Sequence, residues 1–156
     1  MAVSAPRSTS VRHRRIIDVH VLLVRQCRVL LTLRQGTGYA DGQWQVPSGH
    51  LEDQEHTAEC AAREAAEEIG VILDPARLTL AHFIDHRAPD DAAPRLGVFY
   101  TATHWTGTPV NAEPHKCGGI GWFPLDRVPT NTVPYHAAAI ANVIAGRIHS
   151  VFGWDA

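Results

Sequence analysis

The sequence predicts an α+β fold in which a mixed β-sheet carries helices on both faces, and the order of its segments is the main reason. Two helices are predicted, at 57–69 and 137–145, because these segments consist largely of helix formers. Four segments rich in β-branched and aliphatic residues are predicted strands: 16–24, 28–33, 78–85 and 96–103. Strands, a helix, further strands and a last helix suit one sheet covered on either side.

The predicted strands form two consecutive pairs. Only the polar Arg25-Gln26 separates the first two, which indicates a hairpin or two adjacent strands. The second pair is broken by a segment rich in proline and aspartate at 89–94. One more short strand is predicted at 121–123, after a loop without regular structure.

Both predicted helices carry residues that typically begin and end a helix. Thr57 is a suitable N-cap for the first helix, and Gly70 suits the left-handed position that follows its last turn. Pro134 fits the first turn of the last helix, and Gly146 can end it. These residues set the boundaries of the two helices.

The first helix separates into an apolar face and an acidic face. At about 100° per residue, the apolar stripe comprises Ala58, Ala61, Ala62, Ala65 and Ile69. Glu64, Glu67 and Glu68 share roughly the opposite side. Such carboxylates repel by about 0.2 to 0.5 kcal/mol per pair in water, and a divalent cation removes that penalty. Taken alone, the cluster fits a solvated acidic face better than a metal site.

The residues around this cluster complete a longer motif. Its fixed positions are Gly49, Glu55, Arg63, Glu64, Glu67, Glu68 and Gly70, with the apolar Ala65 and Val71 between and after them. This pattern resembles the signature of the Nudix hydrolase family. The resemblance implies a three-layer α/β/α sandwich with a loop-helix-loop catalytic segment, and it favours the metal site over the solvated face.

The resemblance implies a set of metal ligands. Glu64 and Glu68 correspond to the main ligands of Mg²⁺, for which Mn²⁺ can substitute, and Glu67 to a third ligand or a water activator. The backbone carbonyl of Ser48 corresponds to a further ligand, at a position where glycine is commoner. A carbonyl ligand does not depend on the side chain, so this departure changes little.

Arg63 has two interpretations. On the helix it can pair at the surface with Glu59 and Glu67, four residues away on either side. The matching arginine of the family instead holds a catalytic glutamate in place, which is the interpretation we favour. Glu55 is then expected to belong to the same supporting network.

A second segment resembles one subgroup within this family. Residues 111–117, followed by the aromatic 121–123, resemble a subgroup of small MutT-like nucleoside triphosphate diphosphatases. Glu113 is then an extra metal ligand or the general base, and Lys116 is a partner for phosphate. Two alternatives are equally open: Glu113 as an ordinary acidic residue of a loop, and Lys116 as a solvated surface charge. Arg34 is placed like a phosphate-contacting arginine of that subgroup, although a free surface arginine fits as well.

Two tryptophans are candidates for stacking on a nucleobase, since each such contact stabilises binding by about 1 to 3 kcal/mol. They are Trp44 and Trp122, for which core packing is the favoured alternative. The ten histidines are scattered along the chain, and neither His82 with His86 nor His13 makes a ligand pair. No metal role is assigned to them.

Composition and charge limit the kinds of partner that the sequence predicts. The chain has 156 residues, 45% hydrophobic and 19% charged, which predicts one domain at 15–156 after a flexible tail at 1–14. A formal net charge of −2 gives no basic field for a nucleic-acid polymer. No apolar run is long enough to span a membrane, and the N-terminus lacks the apolar core of a signal peptide.

The cysteines indicate the compartment. Cys27, Cys60 and Cys117 are odd in number and widely spread, so they predict neither a disulfide framework nor a zinc site. A reduced cytoplasm is the expected location. The resemblance allows a homodimer, but no sequence feature demonstrates an interface.

The sequence therefore predicts metal-dependent hydrolysis of a nucleoside triphosphate, oxidised and deoxy forms included, to monophosphate and pyrophosphate. The general base is open between Glu67 and Glu113. Other nucleoside diphosphate derivatives are alternatives: ADP-ribose, dinucleoside polyphosphates and coenzyme A. The sequence markers of ADP-ribose and dinucleoside polyphosphate hydrolases are absent from residues 86–88, and most of the coenzyme A hydrolase motif is missing. A catalytically silent nucleotide-binding module is a further alternative.

Overall fold

The computed structural model describes residues 12–88 and 93–154. Most of the predicted tail and most of the predicted break at 89–94 lie outside these residues. The strands are β1 (Ile16–Arg25), β2 (Arg28–Arg34), β3 (Trp44–Gln45), β4 (Ser48–His50), β5 (Thr79–His86), β6 (Arg95–Ala102), β7 (Cys117–Pro124) and β8 (His149–Phe152). The helices are α1 (Thr57–Ile69) and α2 (Pro134–Ile144), with a short 3-10 helix at Pro75–Arg77.

The predicted hairpin is confirmed. Strands β1 and β2 are antiparallel, with Arg25 opposite Arg28. The two residues between them, Gln26 and Cys27, both have left-handed backbone angles, with φ of 51° and 57°. Two such residues in a row give the turn whose twist matches that of the flanking strands. Cys27 is exposed at this turn.

The sheet is mixed, as the sequence predicts. Its order is β3-β2-β1-β6-β5-β8, with β4 paired to β1 and β7 to β2. Strand β1 runs parallel to β6, and β5 runs parallel to β8, whereas the other pairs are antiparallel. The second predicted strand pair is β5 and β6. Because β1 lies at the centre, its side chains reach both faces of the sheet.

Alternation along β1 sets up the three layers. Val19, Val21 and Leu23 lie in the core shared with α1, which contributes Ala61, Ala65 and Ile69. Leu22 lies in the opposite core, shared with α2. Since alternate residues of a strand point to opposite faces, one strand supports both helices. The predicted α/β/α sandwich is confirmed. Among the described residues, neither helix has the length and apolar character needed to cross a membrane.

Three short strands and one long one were not predicted correctly. Strands β3, β4 and β8 have two to four residues each, too few for an alternating pattern to show. Strand β7 extends over Cys117–Pro124, beyond the predicted 121–123, although it contains three glycines, which are unfavourable in strands. Continuous pairing with β2 outweighs that local preference.

Candidate active site

The helix that carries the acidic motif begins at a cap different from the predicted one. His56 is the N-cap: its Nδ1 accepts a hydrogen bond from the Glu59 backbone N–H, and Glu59 accepts one from the His56 N–H. Thr57, the predicted cap, is the first helical residue, and its hydroxyl lies 2.6 Å from the Tyr100 hydroxyl. Gly70 ends the helix in the left-handed conformation, as predicted.

Gly49 places β4 directly against α1. Any Cβ at this position would overlap the carboxylate of Glu64. Gly49 lies within β4, opposite Val19 of β1, and its φ is not positive. The need for glycine here is close approach rather than a left-handed turn.

The three helix glutamates are not equally exposed, contrary to the predicted acidic face. Glu64 is buried, with 9% of its surface exposed, whereas Glu68 is half-buried and Glu67 is exposed. Burial raises the pKa of Glu64, although the Arg63 charge opposes the shift. Burial, and next the charge of Glu64, raise the pKa of Glu68 to about 8. A cation at these carboxylates would remove this electrostatic cost.

Arg63 occupies the centre of a charge network. Its guanidinium donates to Glu55 at 2.7 and 3.1 Å, to Glu64 at 2.6 Å and to the backbone oxygen of His50 at 3.1 Å. Its distance to Glu67 is 3.5 Å. The hydrogen bond from Arg63 lowers the pKa of Glu55 to about 2. Arg63 therefore holds the carboxylates of Glu55 and Glu64 at fixed positions.

Of the surface pairs in the alternative interpretation of Arg63, the one with Glu67 is seen at 3.5 Å and the one with Glu59 is not. The carboxylate of Glu59 is used in the helix cap instead, where it contacts His56. Glu55, six residues after Gly49, turns back from the loop and takes the place that helix spacing assigned to Glu59. The loop, which precedes the helix, thus supplies the main partner of Arg63.

A cleft of about 370 Å³ brings most of the predicted site residues together. They are Arg34, Ser48, Arg63, Glu64, Glu67, Glu68, Glu113 and Lys116. The backbone N–H of Ser48 donates to Glu68 at 3.3 Å, which holds β4 against the last turn of α1. The cleft therefore joins three separate parts of the sequence.

Glu113 and Lys116 face the cleft as an ion pair. The Lys116 Nζ lies 2.9 Å from the Glu113 carboxylate, and two backbone N–H groups bond to the Glu113 carbonyl to form the turn. Glu113 raises the pKa of Lys116. Both charges line the cleft, so a phosphate group or metal ion in it would compete for them.

Arg34 is held by the loop that follows β2. Its guanidinium donates to the Tyr39 backbone oxygen at 2.7 Å, to Gln45 at 2.7 Å and to the Thr37 hydroxyl at 2.8 Å. A guanidinium carries five N–H donors, so two remain for a ligand. Arg34 is thus an ordered group in the cleft wall rather than a free surface arginine.

The two tryptophans lie away from the cleft, which corrects their predicted contact with a base. Trp44 packs edge-on against Phe123 at 4.8 Å. Trp122 stacks on Trp105 at 5.9 Å, with the Arg25 guanidinium above its ring. Apolar packing with residues distant in sequence fixes both rings. Packing, the favoured alternative, is what the structure shows.

A second cavity of about 570 Å³ adjoins the cleft. The two share Arg34, Gln45, Ser48, Gly49 and His50. The second cavity is further lined by Asp18, His20, Tyr39, His86, Ala88, Arg95, Val133, Tyr135 and His136. It is therefore polar and aromatic, whereas the cleft is mainly carboxylate and cationic.

Asp18 is a buried, charged residue in the lining of this second cavity. His50 Nδ1 lies 2.7 Å from its carboxylate, Arg95 lies 3.2 Å away, and His86 Nε2 lies 3.4 Å away. Burial would raise the pKa of Asp18, but the neighbouring histidines and Arg95 lower it overall. The buried carboxylate is thus ionised and paired, as buried charges must be.

The sequence model of the NUDIX domain matches residues 13–143 of the chain. The chain belongs to the Nudix hydrolase family. This MutT-like Nudix hydrolase is 27% identical to a MutT NUDIX hydrolase from Burkholderia pseudomallei, over 83% of this chain and 98% of that one, with a TM-score of 0.75. A NUDIX hydrolase from Nitrosomonas europaea (18% identity, 87% and 93% covered, TM-score 0.74) shares the fold.

The Nudix site contains donors that suit a hard divalent cation. Three carboxylates of α1 and the adjacent backbone of Ser48 offer oxygen atoms, and two of the carboxylates are shielded from water. In the described residues, no three acidic, histidine or cysteine side chains converge tightly enough to form a ready-made metal site. Glu64 instead bonds to Arg63, so ligation requires its carboxylate to share that partner.

The second cavity was missed by sequence reasoning. Its four histidines lie at positions 20, 50, 86 and 136, so no local spacing joins them. One signal was present: Asp18 and His20 are polar residues at alternate positions of an otherwise apolar strand. Polar groups on a buried strand face have a cost unless they meet a partner or line a cavity.

Proposed function

We propose that this Nudix hydrolase cleaves a nucleoside triphosphate to the monophosphate and pyrophosphate. The observation that carries the proposal is the cleft, which is lined both by the carboxylates of α1 and by the cations Arg34 and Lys116. Acids that can hold a metal ion thus share one space with groups that can hold phosphate oxygens. In water, the negative charges of a diphosphate repel a nucleophile, and these metal-binding and cationic groups would offset that repulsion.

Glu64, Glu67 and Glu68, with the carbonyl of Ser48, would hold the metal ion, Mg²⁺ or Mn²⁺ in its place. A bound divalent ion supplies charge neutralisation on the diphosphate and a water of lowered pKa. Arg63 and Glu55 keep Glu64 in position through their bidentate contact. Arg34 and Lys116 bind the phosphate oxygens and orient the chain of phosphates.

Either Glu67 or Glu113 accepts the proton of the attacking water. Glu67 lines the cleft, is exposed, and lies 3.5 Å from Arg63. Glu113 is more buried but must first release Lys116, which lies 2.9 Å away. Separate substitution of each by glutamine decides between them, because only the general base changes the pH dependence of kcat.

The test is a steady-state assay with Mg²⁺ over a panel of nucleoside triphosphates, ADP-ribose, dinucleoside polyphosphates and coenzyme A. Glu68→Gln is expected to lower kcat at least a hundredfold with the fold retained by circular dichroism, since it removes a charged ligand. Turnover of the triphosphates without pyrophosphate release would contradict the proposal. Binding without turnover would indicate a silent module.

A further inference from the structure

The segment 111–117 brings Glu113 and Lys116 to the cleft, but it has little regular structure of its own. It precedes and enters β7, and its regular part before that strand is a turn at 114–116. A segment without a helix or strand ladder depends on other hydrogen bonds to fix its backbone. The bonds of this segment therefore determine where the two charged side chains lie.

The start of the segment is attached to the end of α1. The backbone N–H of Val110 donates to the Ile69 carbonyl at 3.0 Å, and that of Ala112 donates to the Glu68 carbonyl at 3.1 Å. Carbonyls of the last helical turn lack partners within the helix, so they are free to accept these bonds. The segment thus begins at a fixed position beside a helix that carries proposed metal ligands.

The end of the segment is attached to β2 and to the loop after it. The backbone N–H of Gln35 donates to the Lys116 carbonyl at 2.9 Å, and Cys117 pairs with Arg34 of β2. Within the segment, the N–H groups of Lys116 and Cys117 both donate to the Glu113 carbonyl at 2.9 Å. The backbone is therefore held at both ends, and the turn between them carries the two charged residues.

The side chain of Asn111 joins the first residue of the segment to its last. Its Nδ2 donates to the Cys117 carbonyl at 2.7 Å. Among residues 12–88 and 93–154, its Oδ1 is buried and has no hydrogen-bond partner. A buried acceptor without a partner is unfavourable, so the donor accounts for an amide at this position. That donor closes residues 111–117 into a loop.

We infer that Asn111 is a positioning residue, whose amide closes the segment 111–117 and so holds Glu113 and Lys116 where their charges line the cleft. The inference rests on the proposed function, in which Lys116 binds phosphate and Glu113 is a candidate base. Of the described residues, those that line the cleft do not include Asn111, so it acts through the two charged residues. A misplacement of about 1 Å can lower a rate by about a hundredfold.

The experiment removes the donor with little change in the size of the side chain. Asn111→Asp places a carboxylate oxygen against the Cys117 carbonyl, so that two acceptors repel each other, and Asn111→Ala removes the amide altogether. For each variant we expect kcat/KM for a nucleoside triphosphate to fall about tenfold, with the fold retained by circular dichroism. A fall of less than twofold in both variants would overturn the inference.

Asn142→Asp is the matched control. The Nδ2 of Asn142 donates to the Ala138 carbonyl at 2.9 Å within α2, and Asn142 is not among the described residues that line either cavity. The same substitution there removes the same kind of hydrogen bond and should leave kcat/KM within about twofold of the wild type. An equal fall in Asn142→Asp would overturn the inference, because the loss would then follow from stability rather than from position.

A double-mutant cycle separates positioning from a general structural role. Asn111→Asp is introduced into a protein that already carries Glu113→Gln and Lys116→Gln, in which both charges are absent. In that background the tenfold effect should shrink to less than about twofold, since the groups that Asn111 positions no longer contribute. A tenfold effect that persists in that background would overturn the inference.

Amide hydrogen exchange tests the closure of the loop without turnover. In Asn111→Asp, exchange of the Lys116 and Cys117 N–H groups should rise about tenfold, whereas exchange in the middle of α1 should stay as in the wild type. If the wild type hydrolyses no triphosphate but this rise is seen, the proposed function fails and the closure by Asn111 stands. If triphosphates are hydrolysed and exchange is unchanged, the inference fails and the proposed function stands.

Discussion

The cleft and the second cavity share a wall but are assembled in different ways. The acidic side of the cleft comes from one helix and the loop before it, so its charges lie close in sequence. The second cavity collects Asp18, His86, Arg95 and His136 from four different elements. A local motif therefore reveals the first, whereas only the folded sheet reveals the second.

Burial also affects the ionisable groups of the two regions differently. In the cleft, burial raises the pKa of Glu64 and Glu68, and Arg63 pairs with Glu64 and with Glu55 behind it. In the second cavity, burial lowers the pKa of His136 to about 3 and that of His20 well below its ordinary value, which keeps both rings neutral. The cleft therefore gathers carboxylates whose repulsion a cation would offset, whereas the second cavity contains two histidines without charge. Four predictions test this contrast.

The largest effect is expected from Arg63→Gln in the cleft. Loss of the guanidinium releases Glu55 and leaves Glu64 unpaired, so kcat/KM should fall about a hundredfold or more. Steady-state hydrolysis measures this loss. Arg77→Gln, which alters an exposed arginine of the 3-10 helix, is the control and should stay near wild type. A loss under fivefold in Arg63→Gln would show that the network only supports the fold.

Two buried histidines allow a matched comparison of stability. His82 lies 2.7 Å from the Arg147 carbonyl and 2.8 Å from the Ser150 hydroxyl. His82→Leu leaves these groups unpaired and should lower the free energy of unfolding by about 2 to 3 kcal/mol.

His20 is equally buried, but in the described part of the chain neither of its ring nitrogens has a partner. His20→Leu removes two unpaired polar atoms and should be neutral or stabilising in urea unfolding. Equal destabilisation by the two substitutions would show that His20 has a partner, such as a buried water.

The pH dependence of stability should follow His136. Its folded pKa is about 3 and its unfolded pKa near 6.5, so between these values the unfolded chain binds more protons. Stability from this group is complete above about pH 6.5 and falls by about 1.4 kcal/mol per unit as the pH drops. The measurement is urea unfolding at pH 7 and pH 5.

His136→Asn is the control for this pH effect, since an amide oxygen can still accept the Val46 N–H, now bonded at 3.2 Å. The variant does not titrate, so its loss of stability between pH 7 and pH 5 should be smaller by about 2 kcal/mol. Identical losses in the two proteins would mean that His136 gains a proton without unfolding.

The smallest effect is expected from Asp41→Ala in the loop between the two regions. The substitution removes the acceptor of the Thr37 and Gly38 N–H groups and loosens the loop that carries Tyr39. We expect a few-fold rise in KM for a nucleoside triphosphate, because the same loop holds Arg34, one of the proposed phosphate-binding residues. Steady-state kinetics measure this rise, and an unchanged KM would show that the shape of the loop does not contribute to substrate binding.

The parts of the fold that sequence predicts are those set by local preference. The hairpin follows from a polar pair between apolar runs, and α1 follows from its composition and its terminal glycine. Strand β8 escapes prediction because four residues with alternating exposure carry too little apolar pattern. Its pairing with β5 depends on a segment far away in the chain.

Within the candidate site, too, sequence predicts what depends on local spacing and misses what depends on tertiary contacts. Spacing alone places Glu64 and Glu68 near each other, but it cannot show that a glycine of β4 lets the strand bury Glu64. It also pairs Arg63 with Glu59, because it does not include the helix cap that uses Glu59. For Trp122, residue type permits stacking on a base, and only the position of Trp105 shows where the ring packs.

The turn between β1 and β2 has a practical consequence for labelling. Cys27 is exposed at that turn, whereas Cys60 and Cys117 are buried. Burial raises the pKa of Cys60 to about 12, which suppresses its thiolate and hence its reaction with alkylating reagents. A maleimide fluorophore should therefore attach at Cys27, outside both cavities, so that the protein can be labelled without a cysteine having to be introduced.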